Sequence, residues 1–345
     1  MEALLTVSPH TLKLRVGEWV VVRSRPEILS TLNQRGRLDD LPFQPEMLAF
    51  CGQRLRVAKV AHKTCDNIKK TGGRKMVAAV HLAGARCDGS SHGGCMADCV
   101  FFWKEAWLKR AAEPDSAPSP NTLINTEGIF QSAVIGGDPT IADPTYVCQT
   151  TSLFEATSLL HWWDIRQYVQ DVRSGNHSLL HMLRIIAFAG YRKLISLGVG
   201  YRLLIGVFNI VTGKPFPSDR GKIPLGTSTP NEILNFQPGD WVEVKSQEEI
   251  LDTININGFN RGMRYDMEMS RYAGKQFRVQ MRVDRLINEQ TGKMMEMKNP
   301  CIQLENVYCR AECTSKRLGC PRASNTYWRE IWLRRVEPPN EAASR

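Results

Sequence analysis

The chain has 345 residues and a net charge of +10, and 42% of its residues are hydrophobic. This length and composition exclude a small disulfide-stapled domain and a disordered chain, and they predict two or three globular domains. The amino-terminal residues lack the basic start and apolar run of a secretory signal peptide, so we expect a cytoplasmic protein. In a reducing compartment, ten cysteines indicate metal binding more than a disulfide framework.

An internal repeat organises the chain. Gly17-Glu18-Trp19-Val20 matches Gly239-Asp240-Trp241-Val242 at a shift of 222 positions, and the register holds over the following residues. The cysteine-rich segment Cys87 to Arg110 returns as Cys309 to Arg335 with three inserted residues. We therefore predict two copies of one module.

Each copy carries the same predicted elements in the same order. A strand comes first, a short helix follows, and two more strands enclose a Gly-rich turn before a closing WxxxWL strand. These elements lie at 19–22, 25–32, 55–60 and 76–82 in the first copy, and at 241–244, 247–254, 277–283 and 295–304 in the second. Several short strands in about 95 residues are typical of a small barrel.

The order of these segments resembles the SH3-like class of small barrels. The segments GEWVVVRSRPEIL, LPFQPEMLAFCG, AHKTCDNI, CDGSSHGGCMADCVFFWKEAWLKR and WWDIRQYVQDV are also similar to an uncharacterised bacterial family of tandem-repeat proteins. The resemblance carries no catalytic residue with it, and fold alone would not imply function. We predict an α+β fold, with two tandem SH3-like small β-barrel modules flanking a helical segment.

The predicted boundaries follow changes in composition. The first module takes 1–111, a linker and irregular excursion take 112–152, a helical segment takes 153–213, a second linker takes 214–237, the second module takes 238–337 and a tail takes 338–345. Within the helical segment, Leu179 to Val211 is apolar but is interrupted by Arg and Lys. Three interpretations stay open: a buried or partner-facing helix pair, peripheral membrane contact through 179–211, and a membrane span.

The cysteines predict one metal site in each module. The candidate ligands of the first module are Cys65, Cys87, His92, Cys95 and Cys99, and those of the second are Cys301, Cys309, Cys313 and Cys320. About four S or N ligands suit a structural zinc ion, and thiolates also suit an iron–sulfur cluster. Free buried thiols are the third interpretation.

A catalytic site in the first module is a weaker hypothesis. Cys65 would be the nucleophile, with His62 or His81 as the base. No Walker loop, dinucleotide-binding glycine motif, zinc-protease motif or nucleophile elbow is present.

Other repeated or clustered residues have a structural interpretation first. We interpret the tryptophans of the WxxxWL segments as core, and we expect Glu105 and Glu330 to pair with Arg56 and Arg278. A basic cluster around the first hairpin is either a solvated turn or a phosphate-binding surface: Lys63, Lys69, Lys70, Arg74 and Lys75.

The predicted function is that of a metal-stabilised tandem-module binding or scaffold protein with an unidentified protein partner. An accessory enzyme with a metal-based or Cys-based site in the first module is one alternative. Nucleic-acid binding through the basic module surfaces is the other.

Overall fold

The computed structural model describes residues 11–111, 133, 142–198, 200–313 and 315–338. It combines helices with small antiparallel sheets, which confirms the predicted α+β class. The α-helices described are α1 (Arg25–Leu29), α2 (Arg166–Ser174), α3 (Leu179–Ser196), α4 (Tyr201–Thr212) and α5 (Gln247–Leu251). Shorter 3-10 turns occupy Pro45–Phe50, Glu105–Trp107, Met267–Tyr272, Ser315–Arg317 and Glu330–Trp332.

The strands are short, as expected for a small module. Those of the first part of the chain are β1 (Trp19–Val22), β2 (Arg37–Leu38), β3 (Leu41–Pro42), β4 (Arg54–Val60), β5 (Lys63–Cys65), β6 (Gly73–Lys75), β7 (Ala79–Leu82), β8 (Trp103–Lys104), β9 (Leu108–Arg110) and β10 (Ser158–Leu160). The later strands are β11 (Trp241–Val244), β12 (Phe259–Asn260), β13 (Met263–Arg264), β14 (Gln276–Arg282), β15 (Arg285–Ile287), β16 (Met294–Glu296), β17 (Ile302–Leu304) and β18 (Leu333–Arg335).

A five-stranded sheet forms the centre of the first module, in the order β8-β7-β4-β1-β9. Its two edge strands, β8 and β9, are separated in the chain only by the turn Glu105–Trp107, so the sheet must curl strongly. The predicted continuous WxxxWL strand is therefore wrong, because a 3-10 turn divides it. Within the described residues no sheet closes into a barrel.

The second module has a four-stranded sheet in the order β17-β14-β11-β18. Trp241 pairs with Arg278 in this sheet, and Trp19 pairs with Arg56 in the first sheet. These are positions that the sequence places 222 residues apart. Matching sequence positions therefore occupy matching places in the two sheets.

The tryptophans of the WxxxWL segments lie in the two cores, which confirms that interpretation. Trp103, Trp107, Trp328 and Trp332 are fully buried. Trp107 packs edge-on against Phe43 at 5.1 Å, and Trp332 packs likewise against Tyr265 at 5.5 Å. Two of the indole N–H groups have threonine partners in matching places: Trp107 donates to Thr31 and Trp332 to Thr253. Buried indoles need such acceptors, so these threonines complete the cores.

The chain divides into two compact units, and the first is discontinuous in sequence. It comprises Met1–Ile185, Arg285–Met295 and Ser315–Ala323, and the second comprises Ile186–Asp284, Glu296–Thr314 and Ser324–Arg345. A hairpin and part of the cysteine loop from the second sequence copy therefore belong to the first unit.

The residues that follow the first linker pack on the first module through Gln149. Its side chain accepts the backbone N–H of Phe102 at 2.8 Å and donates to the carbonyls of Phe102 and Pro42. A buried amide with all of these partners fixes the surrounding chain firmly. Cys148, the residue before it, is thereby brought to the same side of the module as the cysteine loop.

The predicted helical segment contains α2, α3 and α4. Gly175, with φ of 82°, ends α2 in a left-handed conformation that glycine adopts without strain. None of the helices in the described ranges combines the length and hydropathy that crossing a membrane requires.

Candidate metal site

Glu46 reaches the cysteine loop from the 3-10 turn Pro45–Phe50. Pro45 opens this turn, where its fixed φ is suited and its missing N–H is not needed. The carboxylate of Glu46 is buried; its Oε1 accepts the backbone N–H of Ser91 at 3.1 Å and lies 2.6 Å from Nδ1 of His92. The turn thus places an acidic side chain inside the loop.

Two glycines allow the loop to fold around this carboxylate. A Cβ on Gly89 would lie 2.0 Å from the carbonyl oxygen of Cys95, and a Cβ on Gly93 would lie 2.2 Å from Oη of Tyr146. Both residues also have positive φ, which other residues adopt only with strain. The glycines are therefore required for the conformation that buries His92.

The imidazole of His92 faces an oxygen acceptor on each side. Nδ1 lies 2.6 Å from the Glu46 carboxylate, and Nε2 lies 3.1 Å from the carbonyl oxygen of Val147. A neutral ring carries one N–H and can donate to only one of these oxygens. The other nitrogen then faces an oxygen with its lone pair, and a bound metal ion would accept that lone pair.

Cys87 supplies a third possible ligand atom. In the part of the chain that the structure describes, Glu46, Cys87 and His92 form the one group of three or more such residues whose ligand atoms all lie within 4.8 Å of one another. Burial raises the pKa of the Cys87 thiol, and the nearby Glu46 carboxylate raises it further. A thiolate forms here only when a cation offsets both effects.

The carboxylate has one oxygen still to be satisfied. Oε2 of Glu46 is buried and has no hydrogen-bond partner among the described residues. Burial raises the pKa of Glu46, but the hydrogen bond and charge of His92 outweigh burial and hold that pKa below its usual value. An ionised, partly unsatisfied carboxylate is suited to coordinate a metal ion. The group could therefore hold one.

No family model, curated protein or solved structure matches this chain. The donor set consists of one carboxylate, one imidazole and one thiol.

Three further thiols lie near this group. Burial raises the pKa values of Cys95 and Cys99, and the electrostatic influence of Cys148 adds to both shifts. Cys95 Sγ accepts the backbone N–H of Ile287 at 3.3 Å, and Cys148 shares a hydrogen bond with Thr150 at 3.0 Å. Cys148 was not among the predicted ligands, because it is isolated in sequence.

The second copy keeps the buried carboxylate but changes its partner. Glu268 corresponds to Glu46; its Oε1 accepts the backbone N–H of Cys313, and burial raises its pKa. Cys301, Cys309 and Cys313 belong to the second unit, whereas Cys320 belongs to the first. The arrangement of imidazole, carboxylate and thiol is thus described only around Glu46.

The three candidate catalytic residues have three different partners. His62 Nε2 lies 3.2 Å from Asp171, and its Nδ1 faces the Asn176 amide at 3.5 Å. His81 Nδ1 lies 2.8 Å from the carbonyl oxygen of Phe101. The thiol of Cys65 shares its hydrogen bond with Cys320. A nucleophile needs a base within hydrogen-bond reach, and neither imidazole is paired with Cys65 in these contacts.

His62 also lines a cavity of about 1070 Å³ in the first unit. Burial, followed by the charge of Lys63, lowers the pKa of His62 to about 4. Asp171 lies 3.2 Å from Nε2 and the Asn176 amide lies 3.5 Å from Nδ1, so polar side chains of the interior flank both ring nitrogens, although Nε2 has no hydrogen-bond partner among the described residues. We interpret His62 as a structural residue of this buried network.

Cys65 and Cys320 form an acidified thiol pair that the sequence spacing did not indicate. The hydrogen bond from Cys320 lowers the pKa of Cys65 to about 6 against the opposing effect of burial, and the positive charge of Arg322 contributes. Arg322 is buried and donates to Glu289 at 2.6 Å. Positive charge beside a thiol favours the thiolate form.

The basic cluster around the first hairpin is divided between interior and surface. Lys63 is buried against Asp171 at 2.6 Å, and Arg74 is buried with donors directed at Phe154 and Thr157. Lys69, Lys70 and Lys75 are exposed. Lys63 and Arg74 therefore make their contacts inside the first unit, which leaves three of the five predicted phosphate-binding side chains on the surface.

Proposed function

We propose that this chain is a metal-stabilised tandem-module binding or scaffold protein in which Glu46, Cys87 and His92 hold a zinc ion. The observation that carries the proposal is the convergence of these three ligand atoms inside a glycine-shaped loop. The orphaned Oε2 of Glu46 and the two acceptors around His92 support a cation at this position.

The mixed donor set favours zinc over an iron–sulfur cluster. Zinc accepts oxygen, nitrogen and sulfur ligands together, whereas iron–sulfur clusters are normally held by four thiolates. Cys95, Cys99 and Cys148 are the candidates for a fourth ligand, because all three thiols influence one another electrostatically.

A metal here would fasten the cysteine loop to the turn Pro45–Phe50. Asp88, Ser90 and Gly94 of that loop are exposed and would be held in one arrangement for a partner. We propose that both modules are SH3-like barrels of the bacterial tandem-repeat type, each binding through its loops. Two linked modules raise the effective concentration of the second contact once the first has formed.

Metal content under reducing conditions, measured by mass spectrometry after supply of zinc and removal of the excess, tests the site. We expect about one zinc per chain, falling below about half in His92→Ala and in Cys87→Ser. Cys51→Ser is the matched control, because Cys51 is a buried thiol of the same module outside the ligand group.

Two results would overturn the assignment. One is a wild-type protein that retains no zinc, and the other is equal metal loss in Cys51→Ser. A visible iron–sulfur absorption band with equimolar sulfide would replace zinc with a cluster.

A further inference from the structure

Helices α3 and α4 present apolar side chains to solvent that neither core uses. In the second unit these side chains belong to α4 and to α3 from Ile186 onward, and we call them the apolar hairpin face: Ile186, Leu194, Leu203, Val207, Ile210 and Val211. Ile210 is 85% exposed, Val211 77% and Leu203 72%. Large contiguous exposed apolar surfaces usually mark an interaction site.

This face is not needed to hold the two helices together. Aromatic rings on the inner side make their contact, with Phe188 and Phe208 at 5.9 Å, and Phe216 of the segment after α4 packs on Phe208 at 5.1 Å. Tyr191 also donates its hydroxyl proton to the carbonyl of Leu204. The helices therefore pack through one side and leave the other side exposed.

The exposed residues follow the helical period. On α4, Leu203, Val207, Ile210 and Val211 are spaced at i, i+4, i+7 and i+8, which places them on one side of the helix. On α3, Ile186, Gly190 and Leu194 recur every four residues and are likewise exposed. Each helix thus has an apolar stripe that faces solvent. In an ordinary surface helix the apolar stripe faces the core.

The charged residues within the hairpin sequence have one sign. Residues 172–218 contain no Asp or Glu, and their basic residues are Arg173, Arg184, Arg192, Lys193, Arg202 and Lys214. Lys193 and Arg202 are exposed. At 100° per residue, Lys193 lies at the edge of the α3 stripe. Basic residues beside an exposed apolar stripe are the pattern of a helix that lies on an anionic lipid surface.

We propose that the apolar hairpin face docks onto a membrane surface that contains anionic phospholipids. The apolar side chains enter the boundary between headgroups and acyl chains, and Lys193 and Arg202 contact lipid phosphates. A helix of twelve residues is too short to cross a bilayer and is suited to lie in its plane. A second copy of the chain is the less favoured occupant, since self-association through this face would bring like charges together.

Co-sedimentation of the full, metal-loaded chain with lipid vesicles tests this surface. We expect binding to phosphatidylcholine vesicles containing about 30% phosphatidylserine to exceed binding to pure phosphatidylcholine at least about tenfold, and to weaken as salt rises. Ile210→Glu and Leu203→Glu should each reduce binding about tenfold or more. Lys193→Gln combined with Arg202→Gln should remove most of the preference for anionic vesicles.

The matched control is Ile233→Glu, which adds the same charge at an apolar side chain of the second unit that is 67% exposed and outside the hairpin. This variant should bind vesicles as the wild type does. Absence of binding to anionic vesicles, equal binding to neutral ones, or equal losses in Ile233→Glu would overturn the proposal. The proposal would also be overturned if the wild type bound no vesicles and light scattering showed it to be a dimer that Ile210→Glu converts to a monomer. None of these results depends on the zinc site, because the metal content of each variant is measured separately.

Discussion

Glu105 and Glu330 play the same role in the two modules: each buried carboxylate accepts backbone N–H groups from the segment that leads into its own module. Glu105 accepts from Lys13 and Leu14 at 2.9 and 3.0 Å. Glu330 accepts from Leu234, Asn235 and Phe236. The expected pairing with Arg56 and Arg278 is wrong, since those guanidinium groups donate to the carbonyls of Gly17 and Gly239. A buried segment without regular secondary structure needs acceptors for its backbone N–H groups. One carboxylate can accept several such hydrogen bonds at once.

The first prediction concerns the ion pair between Glu330 and Arg282. Arg282 Nη1 lies 2.6 Å from Glu330 Oε1. A double-mutant cycle of Glu330→Gln with Arg282→Gln should show a coupling free energy on the order of 1 to 3 kcal/mol in urea unfolding. The matched cycle of Glu330→Gln with Arg278→Gln should be additive within about 0.5 kcal/mol. Equal coupling in the two cycles would contradict this assignment.

The second prediction concerns competition between protons and metal at the Glu46 group. Because burial raises the pKa of Cys87, zinc must displace its proton in order to bind the thiolate. Zinc affinity should therefore fall as pH is lowered from about 8 to about 6, by roughly tenfold per pH unit for each proton displaced. Competition with a chromophoric chelator measures the slope, and Cys87→Ser should reduce that slope by about one proton. A pH-independent affinity would contradict a thiolate ligand.

The third prediction concerns the Cys65 and Cys320 thiols. Oxidised glutathione should convert them to a disulfide, with loss of two protons and two electrons from the thiols and formation of two molecules of glutathione. The lowered pKa of Cys65 supplies the attacking thiolate near neutral pH. Peptide mass spectrometry without reduction should find the Cys65–Cys320 crosslink in the wild type and in Cys51→Ser, but not in Cys320→Ser. A wild type with no crosslink after denaturant-free oxidation would count against the pair.

The fourth prediction concerns acid stability. Burial lowers the pKa of His81 to about 4, below its ordinary value near 6.5, so the folded state holds the proton more weakly than the unfolded state. The resulting stabilisation is fully present above about pH 6.5 and is lost as pH falls towards about 4. In His81→Gln, which retains a hydrogen-bond donor for Phe101 but cannot titrate, the free energy of unfolding should depend less on pH over this interval, by on the order of 2 kcal/mol. Parallel curves for the two proteins would contradict this account.

Local elements and the two cores could be read from the sequence because their determinants are local or repeated. The tryptophan spacing and the periodic helices needed no long-range information. The pairing of Cys65 with Cys320 could not be predicted, because it depends on how segments from opposite ends of the chain meet. Glu46 was missed as a ligand since it lies 41 positions before Cys87. Its match to Glu268 in the predicted repeat was the available signal.

The buried Lys63 ammonium donates to the carbonyl oxygen of Leu318, a residue 255 positions further along the chain. During synthesis, therefore, the amino-terminal module leaves the ribosome long before its own partner exists. Lys63 and the neighbouring Cys65 thiol remain without these partners until almost three quarters of the polypeptide has been added after them. Contacts so distant in sequence form slowly and late. Although most of the first unit is translated early, its interior is thus among the last parts of the protein to be completed.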